Sequence, residues 1–218
     1  MKKTLALILV IFLLAVLAGC IQQPETKGKV SAQTIQEILA KAKNINNIEY
    51  TVMFSLDGTE LPATIQVWQK GNKYKMSSEY MGFKSEIIFD GTNSFNYSQE
   101  EDIYYKTETT TDTSAIDFKA IAEQALKDVS MKELGKEEIN GLQATIIEFS
   151  YSEEGSTPLQ TKAWISDEYG IPVKLESTTD AGKISMELKN IKVNSVNDSV
   201  FVIPQEKIFD EDIVPAEP

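Results

Sequence analysis

The chain has 218 residues, 21 of them basic and 33 acidic, for a formal charge of −12. Every basic residue is Lys, there is no His, and there is a single Cys. These absences exclude a Ser-His-Asp triad, a Cys-His pair, a histidine metal site and a disulfide, and an acidic chain without a basic patch does not suit a nucleic-acid partner.

Lys2 and Lys3 precede an unbroken apolar run from Leu5 to Ala18. The run is roughly 21 Å long as a helix, against roughly 30 Å of hydrocarbon in a bilayer. A short run behind basic residues, ending in small residues, reads as an export signal rather than a permanent span. Leu17-Ala18-Gly19-Cys20 resembles the lipobox of lipoproteins at all four positions. That resemblance implies a diacylglycerol on the Cys20 thiol and cleavage after Gly19. The alternatives are an ordinary signal peptide, or an uncleaved anchor with an incidental Cys. Lipidation places the protein at the cell membrane, facing outside the cytoplasm. The expected organisation is a signal peptide over 1–19, a lipidated Cys and tether over 20–30, one domain over 31–207 and an acidic tail over 208–218. Without Lys2 and Lys3 the mature chain carries a formal charge of −14. The lipid, not surface charge, then holds it at the membrane.

Ser31 is a candidate N-cap. Ile35, Ile38, Leu39 and Ala42 follow at i, i+3, i+4 and i+7, which predicts a helix ending near Asn44. Its polar face is mixed in charge, which favours packing on a sheet over lying on a membrane. From Ile48 the period becomes two: Ile48, Tyr50, Val52, Phe54 and Leu56 alternate with polar residues. Asp57-Gly58, Gly71-Asn72, Met81-Gly82 and Asp90-Gly91 punctuate a meander of about six strands running to Thr107. A second helix is expected over 116–129, on the stripe Phe118, Ile121, Ala122, Ala125, Leu126 and Val129. The strand pattern returns over 131–139 and 142–151 around Asn140-Gly141, then over 159–166 and 171–175. Ile184, Met186 and Leu188 are out of phase with Ile191 and Val193, which predicts a bulge near Asn190. Phe201 to Ile203 reads as a last strand. The fold class is therefore α+β, mainly antiparallel β: about ten or eleven strands in a curved half-barrel sheet wrapped around two helices.

Nothing in the sequence marks an enzyme, and no cofactor or metal is called for. The carboxylates sit at turns and on polar faces without the spacing of an EF-hand, and there is no phosphate loop or nucleophile elbow. Asn96-Tyr97-Ser98 and Asn197-Asp198-Ser199 match the N-glycosylation sequon. Trp68 and Trp164 fall on the polar phase of their strands, either packed under loops or at an edge, or forming a contact surface for a partner or membrane. The dry face carries Tyr50, Val52, Phe54, Ile65, Val67, Ile87, Phe89, Ile146, Val173, Leu175, Met186 and Leu188. It is a core if the helices fill it, and a cavity for acyl chains if they stand off.

Four segments in order resemble the Lol-type lipoprotein carrier and receptor (LolA/LolB-like) superfamily. Trp68 to Met76 is similar to its strand-turn-strand segment, and Ile87 to Thr92, with Phe95 and Tyr97, to its Asp-Gly hairpin. Trp164 to Lys174 is similar to its late hairpin, with Ile171 between Gly170 and Pro172. Ile191 to Asn194 with Val200 to Pro204 is similar to its closing segment. The resemblance implies a curved half-barrel whose concave face holds a lipid, acyl or lipoprotein ligand. The family carriers' ligand-retaining Arg has no counterpart here. The alternative is a protein-interaction or envelope-sensor module with a filled core.

Overall fold

The computed structural model describes residues 32–107, 132–151, 159–179 and 182–209. The expected signal segment, Cys20 and its tether, the second helix and the tail beyond Phe209 lie outside the described residues. No helix among the described residues is long and apolar enough to cross a membrane.

Helix α1 spans Ala32–Ala40 and continues as a 3-10 turn over Lys41–Asn44. Ile35, Ile38, Leu39 and Ala42 are its buried residues, the stripe expected from their spacing. The strands are β1 (Asn47–Leu56), β2 (Thr59–Lys70), β3 (Lys73–Tyr80), β4 (Phe83–Phe89), β5 (Ser94–Ser98) and β6 (Ile103–Thr107). After them come β7 (Lys132–Ile139), β8 (Leu142–Tyr151), β9 (Leu159–Ser166), β10 (Pro172–Thr179), β11 (Gly182–Val193) and β12 (Ile208–Phe209). They form one twelve-stranded sheet in the order β12-β6-β5-β4-β3-β2-β1-β11-β10-β9-β8-β7. Its outermost strands are not paired with each other, so the sheet is open, as a half-barrel requires. The α+β, mainly antiparallel class is the one expected. The strand β12 is an exception, lying parallel to β6 with Ile208 opposite Tyr104.

The chain divides into two compact units: residues 1–45, 55–59 and 117–187, and residues 46–54, 60–116 and 188–218. In the first unit, α1 meets the β9–β10 turn at Gly170, which has φ +73°. A Cβ there would stand 2.2 Å from the Ile38 carbonyl oxygen and 2.9 Å from the Ala42 nitrogen. Only glycine admits the helix backbone that close. Asp167, in the same turn, is tied to three neighbours. Lys136 Nζ donates to its Oδ2 at 2.5 Å, Thr145 Oγ1 donates to its Oδ1 at 2.6 Å, and Lys41 donates to its carbonyl oxygen. Burial works to raise the Asp167 carboxyl, but the hydrogen bonds from Lys136 and Thr145 outweigh it and hold the group below the ordinary carboxylate range. Edge strand β7 is charged along its length, and its register shifts between Glu133 and Gly135. Both features blunt an exposed edge.

In the second unit, a buried cluster of Ile88, Phe95, Tyr104, Val196 and Phe201 is flanked by Trp68, Tyr97, Val200, Ile203 and Ile208. The segment after β11 thus packs back on the sheet as two 3-10 turns, Asp198–Phe201 and Gln205–Lys207. The strand expected over 201–203 is replaced by the first of these turns and its exit. The reason is local: the Asn197 side chain caps the turn, accepting a hydrogen bond from the Ser199 N–H at 3.1 Å. Asn190 has φ +54°, a left-handed residue at the place where the hydrophobic phase of β11 slips.

Candidate functional site

Cross-strand register sorts the candidate residues into faces, because side chains opposite one another on paired strands share a side. In the second unit, Val67 stands opposite Met76, and Met76 opposite Ile87. One step along, Gln69 stands opposite Tyr74, and Tyr74 opposite Phe89, with the two rings 5.5 Å apart. Ile65 belongs to the same face by alternation along β2. In β1, Ile48, Tyr50 and Val52 are buried and alternate with partly buried Glu49, Thr51 and Met53. Leu188 in β11 is fully buried. Phe54, Ile65, Met76, Ile87 and Phe89, by contrast, are only half-buried, although they are apolar and sit on faces whose other members are buried. The same face also carries polar side chains, with Ser78 opposite Ile65, Ser85 opposite Ser78, Asn96 opposite Ile87 and Ser94 opposite Phe89. Burial pushes the Tyr50 phenol well above its ordinary range, so it stays neutral. The Gln69 Oε1 is buried and has no hydrogen-bond partner among the described residues.

In the first unit, Ile147, Ala163, Leu175 and Met186 stand opposite one another in turn across β8, β9, β10 and β11. Leu175 and Met186 therefore share a face as expected, and Val173 is buried beside a register shift in β10. Ile146 does not join them. Its partner is Trp164, and the partner of Trp164 is Lys174, so Ile146 lies on the opposite face. The sequence offers two adjacent isoleucines in β8, either of which starts an apolar period, and only the register chooses between them.

The tryptophans are packed. Trp164 is 6% exposed. Its Nε1 donates to Glu137 Oε2 at 2.7 Å, and Lys174 Nζ lies 4.5 Å from the ring centroid. Trp68 is partly buried against the second unit's cluster, with Lys75 Nζ 5.8 Å from its ring. Trp164 is thus buried, and Trp68 is partly covered. Behind Trp68 lies a charged network that the sequence reading missed. Glu86 is 3% exposed and receives Lys75 Nζ at 2.6 Å, Lys84 Nζ at 2.9 Å and the Tyr104 hydroxyl. Burial favours its neutral form, but these three hydrogen bonds prevail and the carboxyl lies below its ordinary range. Glu86 stands across the ladder from Ser77 and points to the same side as Ile88. Its acidity is that of an internal counter-ion, not of a reacting group. Asn96 is exposed and donates to Thr107 Oγ1 at 3.3 Å, and Asn197 is exposed as a cap. Among the described residues no group of three or more His, Cys, Asp and Glu is placed to hold a metal ion.

No family model matches the chain, and no curated protein does. Solved structures do. MucB is 11% identical, with a TM-score of 0.55 over 82% of this chain and 65% of MucB, so the chain spans about two thirds of the MucB length. MucB has also been solved as the Pseudomonas aeruginosa MucA/MucB complex, with a TM-score of 0.54. The Mycobacterium tuberculosis lipoprotein LppX is 17% identical, with a TM-score of 0.50 over 76% of this chain and 96% of LppX. LprF from Mycobacterium bovis is 12% identical, with a TM-score of 0.51 over 81% of this chain and 96% of LprF. The chain thus shares its fold with MucB, with the lipoprotein LppX and with LprF.

Proposed function

We propose that the protein is a membrane-anchored extracytoplasmic lipoprotein, without catalytic activity, that binds an apolar ligand of lipid or acyl type. The ligand lies on the second unit's face carrying Ile65, Val67, Ile87 and Phe89, with Tyr50, Val52, Phe54 and Leu188 contributing. One observation carries the reading: Phe54, Ile65, Met76, Ile87 and Phe89 keep accessible apolar surface beside neighbours that are fully buried. A filled core buries such residues to the same degree, whereas a binding face leaves area for its ligand. In the first unit Leu175 is half-buried in the same way, beside buried Val173 and Met186. The lipobox at Cys20 supplies the anchor and the location. The fold shared with the lipoprotein LppX supports the assignment.

Native mass spectrometry of protein extracted in mild detergent tests this. A co-purifying lipid mass is expected. A clean apo mass together with no binding of a lipophilic dye would refute the ligand.

The second reading, an interaction or sensor module, is favoured by one finding: MucB has been solved in complex with MucA. Crosslinking in intact cells, yielding one discrete partner in place of any bound lipid, would decide for it.

A further inference from the structure

The two faces of the second unit's strands differ in charge as well as in burial. Every Lys and Glu of β3, β4 and β6 lies on the side of Ile88: Lys73, Lys75, Glu79, Lys84, Glu86 and Lys106. The ladder sets this. Lys75 stands opposite Trp68 and Ile88, Glu79 opposite Lys84, Glu86 opposite Ser77 and Lys106 opposite Phe95. The candidate ligand face receives none of them. One row crosses that face in the order Val67, Met76, Ile87, Asn96, Tyr105 and Phe209. It is apolar over β2 to β4 and turns polar, still without charge, at Asn96. Since 25% of the chain is charged, composition alone does not leave a face of this size without a charge.

The polar end of the row has a fixed hydrogen-bond direction. The Thr107 hydroxyl donates to the Ser94 carbonyl at 3.3 Å, so it has no proton left for Asn96. It accepts instead from Asn96 Nδ2, also at 3.3 Å. That sets the orientation of the amide, because a hydroxyl has a single proton to give. Asn96 Oδ1 is left as an acceptor on an exposed side chain, with no hydrogen-bond partner among the described residues. The other unspent amide oxygen of the face, Gln69 Oε1, is an acceptor too. Beside Asn96, the Tyr105 hydroxyl donates to the Glu101 carboxylate, so a charge that reaches this border is negative.

We propose that the ligand of this face is an uncharged acyl lipid whose head carries a free hydroxyl, with the hydroxyl donating to Asn96 Oδ1 and the acyl chain lying on Met76 and Ile87. The inference rests on the ligand face proposed above and specifies the head that it takes. Neighbouring strands are roughly 4.8 Å apart, so Asn96 lies one strand beyond a chain that covers Met76 and Ile87. An ionic head would lose hydration there without gaining a counter-ion in the row. A carboxylate or phosphate head also has no proton for Asn96 Oδ1 and would approach Glu101. A hydroxyl meets both conditions, since it is neutral and it donates.

The test is displacement of bound Nile red, a neutral lipophilic dye, from the full-length protein purified from membranes and stripped of lipid by detergent exchange. Three probes share one oleoyl chain: 1-monooleoylglycerol, methyl oleate and 1-oleoyl-lysophosphatidate. Monooleoylglycerol is neutral with hydroxyls, methyl oleate is neutral without one, and lysophosphatidate has a hydroxyl and an anionic head. Monooleoylglycerol should bind about fivefold more tightly than methyl oleate, the worth of one neutral hydrogen bond, and more tightly than lysophosphatidate. Asn96→Leu should bring monooleoylglycerol to the level of methyl oleate. Methyl oleate itself should bind the variant as it binds the wild type, which also shows that the variant is folded. Equal binding of the two neutral probes, or tighter binding of lysophosphatidate, overturns the hydroxyl-bearing neutral head and leaves the ligand face standing. A preference that persists in Asn96→Leu overturns the placement of the head at Asn96. If no probe displaces the dye, the ligand face fails and this inference fails with it.

Discussion

Gly170→Ala tests how the first unit is built. The new Cβ would lie 2.2 Å from the Ile38 carbonyl oxygen, 2.9 Å from the Ala42 nitrogen and 3.1 Å from Lys41 Cβ. The first two are backbone atoms of α1 and its 3-10 extension, so no rotamer change relieves them. The turn is equally fixed: Gly170 N–H donates to Ser166 O at 2.8 Å, and Ser166 N–H donates to Ile171 O at 2.9 Å. Placing a Cβ at φ +73° costs about 1–2 kcal/mol. Overpacking against a well-packed neighbour adds about 1–3 kcal/mol. The expected loss is therefore about 2–5 kcal/mol, or roughly 4–20 °C in Tm for a chain of this size. Urea unfolding followed by circular dichroism measures it. Gly58→Ala is the control, because Gly58 has φ +79° and nothing within 4 Å of its added Cβ. It should lose only the conformational part, about 1–2 kcal/mol. If the two variants lose the same amount, α1 does not press on Gly170 and the packing argument is wrong.

Glu86 gives a pH dependence. Its folded carboxyl lies below the unfolded value, so its stabilisation is complete above the ordinary carboxylate range and is lost as pH falls through the folded value. Glu86→Gln should be less stable at neutral pH and should lose less between about pH 5 and pH 3 than the wild type. Parallel unfolding curves for the two proteins would show that Glu86 is not the group responsible. Phe201→Ala empties part of the second unit's cluster and should cost about 3–5 kcal/mol. Limited proteolysis should then cut after Lys192 or Lys207 far faster, and unchanged cleavage would show that the C-terminal segment is held by other contacts. Ile87→Lys puts a charge on the half-buried ligand face. It should abolish binding of a lipophilic dye while leaving the far-ultraviolet spectrum intact, and undiminished binding would move the ligand elsewhere. The protein from membranes should begin at Cys20 with a diacylglycerol mass, and Cys20→Ser should retain residues 1–19. A different mature N-terminus removes the lipobox reading.

The features legible in the sequence were those set by neighbours along the chain. The α1 stripe of Ile35, Ile38, Leu39 and Ala42 is buried as its spacing requires. The hairpin turns at Asp57-Gly58 and Asn140-Gly141 carry the backbone their residues favour. The phase slip in β11 is centred on Asn190, at φ +54°. Each rests on local sterics or on a period of 3.6 or 2, which sequence displays directly. The candidate face was legible to the same extent: Val67 and Ile87 share it, as alternation within their strands predicts.

Other features were decided by residues far apart in sequence. Ile87-Ile88 and Ile146-Ile147 are adjacent apolar pairs, and alternation alone cannot say which member faces which side. The pairing of β4 with β5 sends Ile88 toward Phe95, and the pairing of β8 with β9 sends Ile146 toward Trp164. The second unit's cluster exists because Val196 and Phe201 return across about a hundred residues to Ile88, Phe95 and Tyr104, and Trp68 packs partly buried against it. The placement of β11 beside β1 is of the same kind. Sequence by itself determined the turns, the front helix and the strands other than the closing one, and gave an expected lipid anchor, because these are local chemistry. The segment over 201–209 was settled by its return onto the sheet. Which apolar residues remain half-buried on the candidate face, and the exposure of Met81 and Phe83, were decided only by tertiary structure. Burial is a property of what packs against a residue, not of the residue.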